Sequence, residues 1–332
     1  MSKKVLITDY VWPSVDPERA ILAKAGIDLI VAPDSSEDTL ASLAKEVVGI
    51  LFCFAEVTDR ILKAAEKCVV ASRYGVGYDN ISVDTATDLG IAITYVPDYC
   101  VSEVSDHVMA LLLAWNRRIV LFDRATKNKG WGSEGLGMRI MRLGGKKLGI
   151  VGFGRIGKGV CAKALAFGME VLVSDPCSSD KEIGKQGARK VEMKDLLNES
   201  DFVTLHAPLT PNTRNMIGKA ELDSMKPEAF LINAARGGLI DEKALYDALT
   251  SGQIAGAGLD VLEDADPPTN HHLIQLDNTI VTPHTAFYSQ EATLELEKRA
   301  AEEVVRVLQG QMPDNLVNPT VLSHSRAKLP TP

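Results

Sequence analysis

Lys147-Leu148-Gly149-Ile150-Val151-Gly152-Phe153-Gly154-Arg155-Ile156-Gly157 runs from an apolar strand through a glycine turn into an amphipathic helix. A G-x-G-x-x-G hexapeptide alone says little, but a strand before it and a helix after it give each glycine a task. Gly152 permits the tight turn, Gly154 lets a pyrophosphate approach the backbone, and Gly157 lets the helix pack closely on the strand. Amides at the helix N-terminus then face the phosphates. The next strand ends at Asp175, 23 residues after Gly152, where a carboxylate accepts hydrogen bonds from ribose hydroxyls and repels a 2′-phosphate. Pro176, Cys177 and Ser178 bring no arginine to offset that repulsion, so the expected cofactor is NAD rather than NADP. An aspartate capping its own turn is the plain alternative.

Outward from this loop the chain alternates strands with helices. Lys4–Thr8, Asp28–Ala32, Val47–Cys53, Val69–Ser72 and Ile91–Val96 read as strands, with Ser36 and Thr58 as helix N-caps and Gly26 as a C-cap glycine. Ser102-Glu103 reads as the cap of a helix whose apolar residues Val104, Val108, Leu111, Leu112 and Trp115 recur at helical spacing. Six further strands follow, near 148–151, 171–174, 202–205, 230–234, 258–261 and 279–282. Strands separated by helices imply parallel sheets covered on both faces, hence an α/β, doubly wound class. A last helix, about Glu291 to Leu308, comes after the second sheet is complete, and is expected to cross back and cover the first.

Open parallel sheets bind ligands beyond the carboxyl ends of their strands. His206, Arg236, Asp260 and His284 all stand at such ends and are expected to converge on one crevice. Reduction of a 2-keto acid needs a clamp for carboxylate and carbonyl, a proton donor and a hydride donor; the cofactor supplies the last. Arg236 suits the clamp, being permanently charged and bidentate, with Gly237 and Gly238 leaving room beside it. His284 suits the proton donor, because imidazole both donates and accepts near neutral pH. His206 is expected to line the cofactor site, His271 and His272 to be solvent-exposed in a Pro/Asn-rich loop, and His107 to be a packed helical histidine. The turn Arg73-Tyr74-Gly75-Val76-Gly77 presents backbone amides that can bind a carboxylate, though an ordinary turn needing positive φ explains the glycines equally well.

The 332 residues are enough for two cores, and 45% hydrophobic with 24% charged residues is the balance of a folded, water-soluble chain. A net charge of -8 without a Lys/Arg cluster speaks against nucleic acid as partner. No stretch approaches the ~20 apolar residues of a membrane span, so no membrane partner is expected. The short apolar run Val5-Leu6-Ile7 falls short of a signal-peptide core, and five cysteines without C-x-x-C pairing fit reduced thiols, so a cytoplasmic setting is expected. No His/Cys/Asp cluster shows ligand spacing in the sequence, and no metal is expected.

Six stretches together carry a resemblance. Arg73–Asn80, Pro97–Cys100, Val151–Gly157, Asn233–Asp241, Gly258–Val261 and Thr282–Ser289 resemble the D-isomer-specific 2-hydroxyacid dehydrogenase family, within it the branch containing C-terminal-binding protein. The resemblance covers nearly the whole chain. It implies an NAD-binding Rossmann domain at residues 102–286, inserted in a flavodoxin-like substrate (lid) domain made of residues 1–101 and 287–332, and a homodimer acting on a small anionic 2-keto or 2-hydroxy acid. The cofactor set it implies is Gly152, Gly154, Arg155, Ile156, Gly157, Asp175, His206, Ala207, Pro208, Thr213, Ala234, Ala235, Arg236, Asp260 and His284. Arg236 is then the substrate anchor, His284 the acid/base, the Gly75-Val76-Gly77 backbone the carboxylate binder, and Arg73 and Phe287 neighbours of the pocket. The family pattern places a glutamate five residues after the Gly-Leu-Asp aspartate, where this chain has Ala265. A one-residue shift gives Asp266, just before Pro267, the role of catalytic acid, with Glu263 as alternative and a chain lacking the acid as a third reading. The rival function is an NAD(H)-sensing, corepressor-like scaffold with little turnover.

Overall fold

A computed structural model describes residues 3–132 and 140–330 and divides the chain into two compact units, Met1–Tyr99 with Ser289–Pro332, and Cys100–Tyr288. The chain-end unit holds β1 (Lys3–Ile7), β2 (Ile27–Val31), β3 (Gly49–Phe52), β4 (Val70–Arg73) and β5 (Ala92–Thr94). All are parallel, in the order β2-β1-β3-β4-β5, which is a flavodoxin-like winding. The anticipated caps are in place: Ser36 accepts from the Thr39 amide, Thr58 accepts from the Ile61 amide, and Gly26 closes its helix at φ 70°.

The covering element comes from the far end of the chain, as expected. The helix Gln290–Leu308 buries Ala292, Leu296, Ala300, Ala301, Val304 and Val307 against the helix Asp16–Lys24 and strands β3 and β4. Gly49 makes that approach possible, since a Cβ there would lie 3.2 Å from the Val304 methyl. Beyond the helix, Asn318 ties the tail to β5, accepting from the Ile93 amide at 2.8 Å and donating to the Ile91 carbonyl at 3.0 Å.

The central unit holds β6 (Lys147–Val151), β7 (Glu170–Ser174), β8 (Arg189–Lys190), β9 (Phe202–Leu205), β10 (Phe230–Asn233), β11 (Gly256–Leu259) and β12 (Thr279–Val281). These strands are parallel in the order β12-β11-β10-β9-β6-β7-β8. Six of the seven are the strands anticipated from sequence. The seventh, β8, is two basic residues at the sheet edge and gives no hydrophobic signal; charged, short edges of this kind also resist pairing with other chains. The first helix differs from expectation too. It spans Val101–Asn116 with Cys100 at the N-cap, and Ser102 sits inside the first turn rather than capping it. Val101 packs beside Gly159, so tertiary contact starts the helix before the polar cap signal. Further along, Trp115 stacks on Phe230 with centroids 4.6 Å apart, over Gly256, where any Cβ would collide with the indole.

Among the described residues the chain-end unit buries three carboxylates, Glu18, Glu297 and Glu303, of which the first two act on each other through their charges. Glu18 and Glu297 are 0% and 6% exposed, and Glu18 accepts a 2.9 Å hydrogen bond from the buried Tyr74 hydroxyl. Burial, then the negative charge of Glu18, pushes Glu297 up to about 7, against an opposing effect of Lys298. The folded state therefore holds a proton that the unfolded state releases, and stability falls as pH rises from the ordinary carboxylate range through 7. Glu297→Gln should remove that slope, so its urea midpoint should gain on the wild type between about pH 5 and about pH 8; a constant difference would mean Glu297 is ionised throughout.

Candidate active site at the carboxyl edge of the central sheet

Because all seven strands of the central unit run in one direction, their carboxyl ends lie on one edge, and the sheet order ranks the residues along it. From one side these are His284 after β12, Asp260 after β11, Arg236 after β10, His206 after β9, Gly152 after β6 and Asp175 after β7. The winding reverses between β6 and β9, which is where a doubly wound sheet opens its crevice.

The glycine loop occupies that reversal. Gly152 has φ 92°, and a Cβ there would lie 2.7 Å from the His206 carbonyl carbon, so only glycine lets the ends of β6 and β9 close. Gly157 packs against the Gly152 carbonyl so closely that no side chain fits, whereas a Cβ at Gly154 would meet nothing within 4 Å. Gly154 is also the N-cap of the helix Arg155–Ala166. A tight turn, a close packing point and an open approach to a helix N-terminus are what a dinucleotide pyrophosphate requires, so these residues fit NAD. Arg155 is exposed and Ile156 half-buried in the first helical turn.

Asp175 carries more local structure than its motif role suggests. Its Oδ2 accepts from the Phe153 amide at 2.5 Å, and its Oδ1 accepts from the amides of Cys177 and Ser178 at 2.6 and 3.0 Å. The carboxylate thus fastens the glycine loop to the end of β7 and holds its own turn, while a carboxylate has about four acceptor sites in all. On the other side of the reversal, His206 bonds Thr204 through Nε2 at 3.0 Å, and burial pushes its pKa down to about 4, so it stands neutral at physiological pH. Ala207 and Pro208 continue from it; Thr213 donates its hydroxyl to the Pro208 carbonyl at 2.6 Å, closing the 208–213 loop on itself.

Arg236 is half-buried in a turn shaped by Asn233, whose side chain donates to the Arg236 carbonyl at 2.8 Å and accepts from the Ala235 amide at 3.1 Å; Ala234 and Ala235 lie between. The space beside Arg236 differs from the expectation. Gly237 does not leave room, because the Leu262–Glu263 backbone fills the place of its missing Cβ. Glycine here brings the arginine turn against the acidic segment 263–266. In that segment Glu263 is paired with Arg214 at 2.8 Å, and Asp266 is exposed, its amide donating to Asp264.

His284 adopts φ 52°, a left-handed conformation uncommon outside glycine and asparagine. What holds it is Asp260, 1% exposed. The Asp260 carbonyl accepts from the His284 amide at 2.8 Å. Its carboxylate accepts from the Thr282 hydroxyl at 2.6 Å and from the amides of Thr285 and Ala286, each at 2.9 Å. Since the carboxylate only accepts, the Thr282 hydroxyl must donate to it, and the 2.9 Å contact from His107 to Thr282 then requires a proton on His107 Nε2. His107, expected to be merely packed, therefore belongs to this network; its position on a helix far away in sequence concealed that. Phe287 closes the segment with its ring 6.1 Å from that of His284, edge to face.

The chain-end unit supplies the remaining candidates. Arg73 is 6% exposed, folded onto the Tyr74 carbonyl between Phe52 and Phe54. Gly75 has φ 145°, and its amide donates to the Arg73 carbonyl, so the amides of the half-exposed Val76 and Gly77 are the ones this turn presents. One expectation is corrected outright. His271 is not a solvent-exposed loop residue: its side chain is 12% exposed and lies 3.3 Å from Glu242, and together with the exposed His272 these make a cluster able to hold a metal ion.

Residues 109–286 match the family model described as D-isomer specific 2-hydroxyacid dehydrogenase, NAD binding domain. Glyoxylate reductase of Thermococcus litoralis is 39% identical over 292 residues, covering 86% of this chain and 88% of the relative. D-3-phosphoglycerate dehydrogenase of Methanocaldococcus jannaschii is 37% identical over 98% of this chain, which spans 62% of that longer protein. Among solved structures, D-lactate dehydrogenase of Aquifex aeolicus, complexed with NAD and lactic acid, superposes with TM-score 0.87 at 27% identity, covering 95% of this chain and 99% of that one. No helix among the described residues is long and apolar enough to cross a membrane.

Thr282→Val should leave a half-buried His107 N–H and an Asp260 lone pair unsatisfied, lowering unfolding free energy by about 1–3 kcal/mol in urea titrations, while Thr282→Ser should keep most of it. Equal stability of the two variants would show that the hydroxyl does not connect these groups.

Proposed function

We propose that this chain, which belongs to the D-isomer specific 2-hydroxyacid dehydrogenase family and is an NAD-dependent oxidoreductase of it, interconverts a short 2-keto acid and its D-2-hydroxy acid. The observation that carries the reading is the order along the sheet edge. Arg236 and His284 end strands two places apart, with Asp260 between them, which sets their backbones roughly 10 Å apart. Long side chains reaching inward from that separation can enclose a molecule of two to four carbons.

The guanidinium of Arg236 binds the substrate carboxylate and polarises the keto oxygen, as a fixed fork of donors suits two oxygens at once. His284 gives a proton to the oxygen as charge develops there, and takes it back in the reverse direction. When bound, the nicotinamide supplies or accepts the hydride at the same carbon. The neutral His206 lines the cofactor side without adding a competing charge, and the family resemblance gives the Val76 and Gly77 amides the role of carboxylate binder. Asp266 is the acid we assign to hold His284 in its charged form, since Glu263 is already engaged by Arg214. Relatives named glyoxylate reductase support a substrate of glyoxylate's size; the resemblance implies a homodimer, and the free cysteines fit a cytoplasmic setting.

Absorbance of NADH against glyoxylate, pyruvate, hydroxypyruvate, phenylpyruvate and 3-phosphohydroxypyruvate tests the reading, with glyoxylate expected to show the highest kcat/KM. Negligible turnover on all five with tight NADH binding would overturn it in favour of an NAD-sensing scaffold. His284→Asn is the discriminating variant, because asparagine tolerates the left-handed backbone. It should lower kcat about 10²–10⁴-fold, and retention of most activity would remove His284 from the role. Asp266→Asn should lower kcat more than Glu263→Gln; the reverse order would move the acid to Glu263.

A further inference from the structure

Outside this edge the described residues hold one cluster of metal-ligating side chains whose members come from two separate elements. Glu242 is the first residue of the helix Glu242–Ser251, whose N-cap Asp241 accepts from the Ala244 amide. Glu242 Oε1 accepts from the Glu263 amide at 2.6 Å, and its Oε2 lies 3.3 Å from His271 Nε2. His271 is fixed by its own backbone: its amide donates to the Pro268 carbonyl, and its carbonyl accepts from Ile274 and Gln275. His272 stacks on it with ring centroids 4.3 Å apart and meets Tyr246 edge to face at 5.1 Å. One potential ligand atom from each of Glu242, His271 and His272 lies within 4.8 Å of the other two.

We infer that Glu242, His271 and His272 bind one divalent transition cation of zinc's kind, which staples the loop following β11 to the helix Glu242–Ser251. Two imidazoles and one carboxylate are a donor set for borderline metals, not for magnesium or calcium, which take oxygen ligands. Ligand distances of about 2.0–2.2 Å around tetrahedral zinc place neighbouring donors roughly 3.3–3.4 Å apart. The 3.3 Å between Glu242 and His271 already matches that edge, and a ligand atom of the exposed His272 lies within 4.8 Å of both, so its ring moves inward to complete the site. Water takes the fourth position. An ion pair between His271 and Glu242 explains the same contact, but it gives His272 no part, and His271 Nδ1 is buried without a hydrogen-bond partner in either case. Through the Glu263 amide held by Glu242, occupancy of the site bears directly on the segment that carries Asp266.

The test uses the full chain with Cys177, the exposed thiol, replaced by serine so that it cannot contribute a ligand. Chelator-treated protein is titrated with zinc chloride by calorimetry, with magnesium chloride as control. One zinc per chain is expected with micromolar or tighter Kd, no magnesium binding, and a zinc-dependent rise in Tm. His272→Ala, at an exposed position that should not disturb folding, is expected to weaken zinc binding at least tenfold and abolish the Tm rise. Glu242→Gln should weaken it as well. Millimolar affinity in the parent, or unchanged affinity in His272→Ala, would overturn the assignment.

Discussion

The Asp260 carboxylate is the constraint on which the carboxyl edge depends. It is buried, and it takes hydrogen bonds from one hydroxyl and two amides of the segment 282–286. Placing a lone carboxylate in a protein interior is costly unless its acceptor sites are filled, so the segment cannot relax without exposing that cost. The left-handed backbone of His284 is strain of about 1–3 kcal/mol, and it persists because Asp260 over-determines the surrounding turn. Strain held at one residue aims one side chain. The donor chain from His107 through Thr282 reaches the same carboxylate from a helix, so helix and strand end are locked to one another.

Much of this edge was legible in the residues themselves. Glycine at 152, 154 and 157 announces a turn, an approach and a packing point; the structure shows a side chain excluded by contact at 152 and 157 and open space at 154. Strand ends followed by Arg236, Asp260 and His284 were legible because polar residues rarely interrupt buried parallel strands without cause. The missed features share a different physics. His107 and His271 take their partners from elements distant in sequence, and no local pattern records such a meeting. The β8 strand has two residues, both basic, and exists only because β7 offers it an edge. The helix start at Val101 is a packing decision rather than a capping one.

Asp175 and Gly237 carry structural duties that their motifs do not announce. The aspartate, which the motif assigns to a ribose, already accepts from three backbone amides, so the same carboxylate organises the loop. The glycine beside Arg236 looked like space for a substrate and is instead a contact surface for the backbone at Leu262 and Glu263. The proposed acid position therefore follows a stretch of main chain, Leu262 and Glu263, that packs directly on the arginine turn.

Sheet order and chain order also disagree in the chain-end unit, and the disagreement has a bearing on biosynthesis. Strands β1 to β5 leave a ribosome well before the helix that seals β3 and β4, which begins at Gln290, and before Asn318, whose side chain fastens β5. Until those residues have been translated, one apolar face of the first sheet has no cover, while the central unit has all of its own strands in hand by Val281. Nascent chains of this protein must therefore carry an open hydrophobic surface while the whole central unit is made, so the strands translated earlier are the ones covered later.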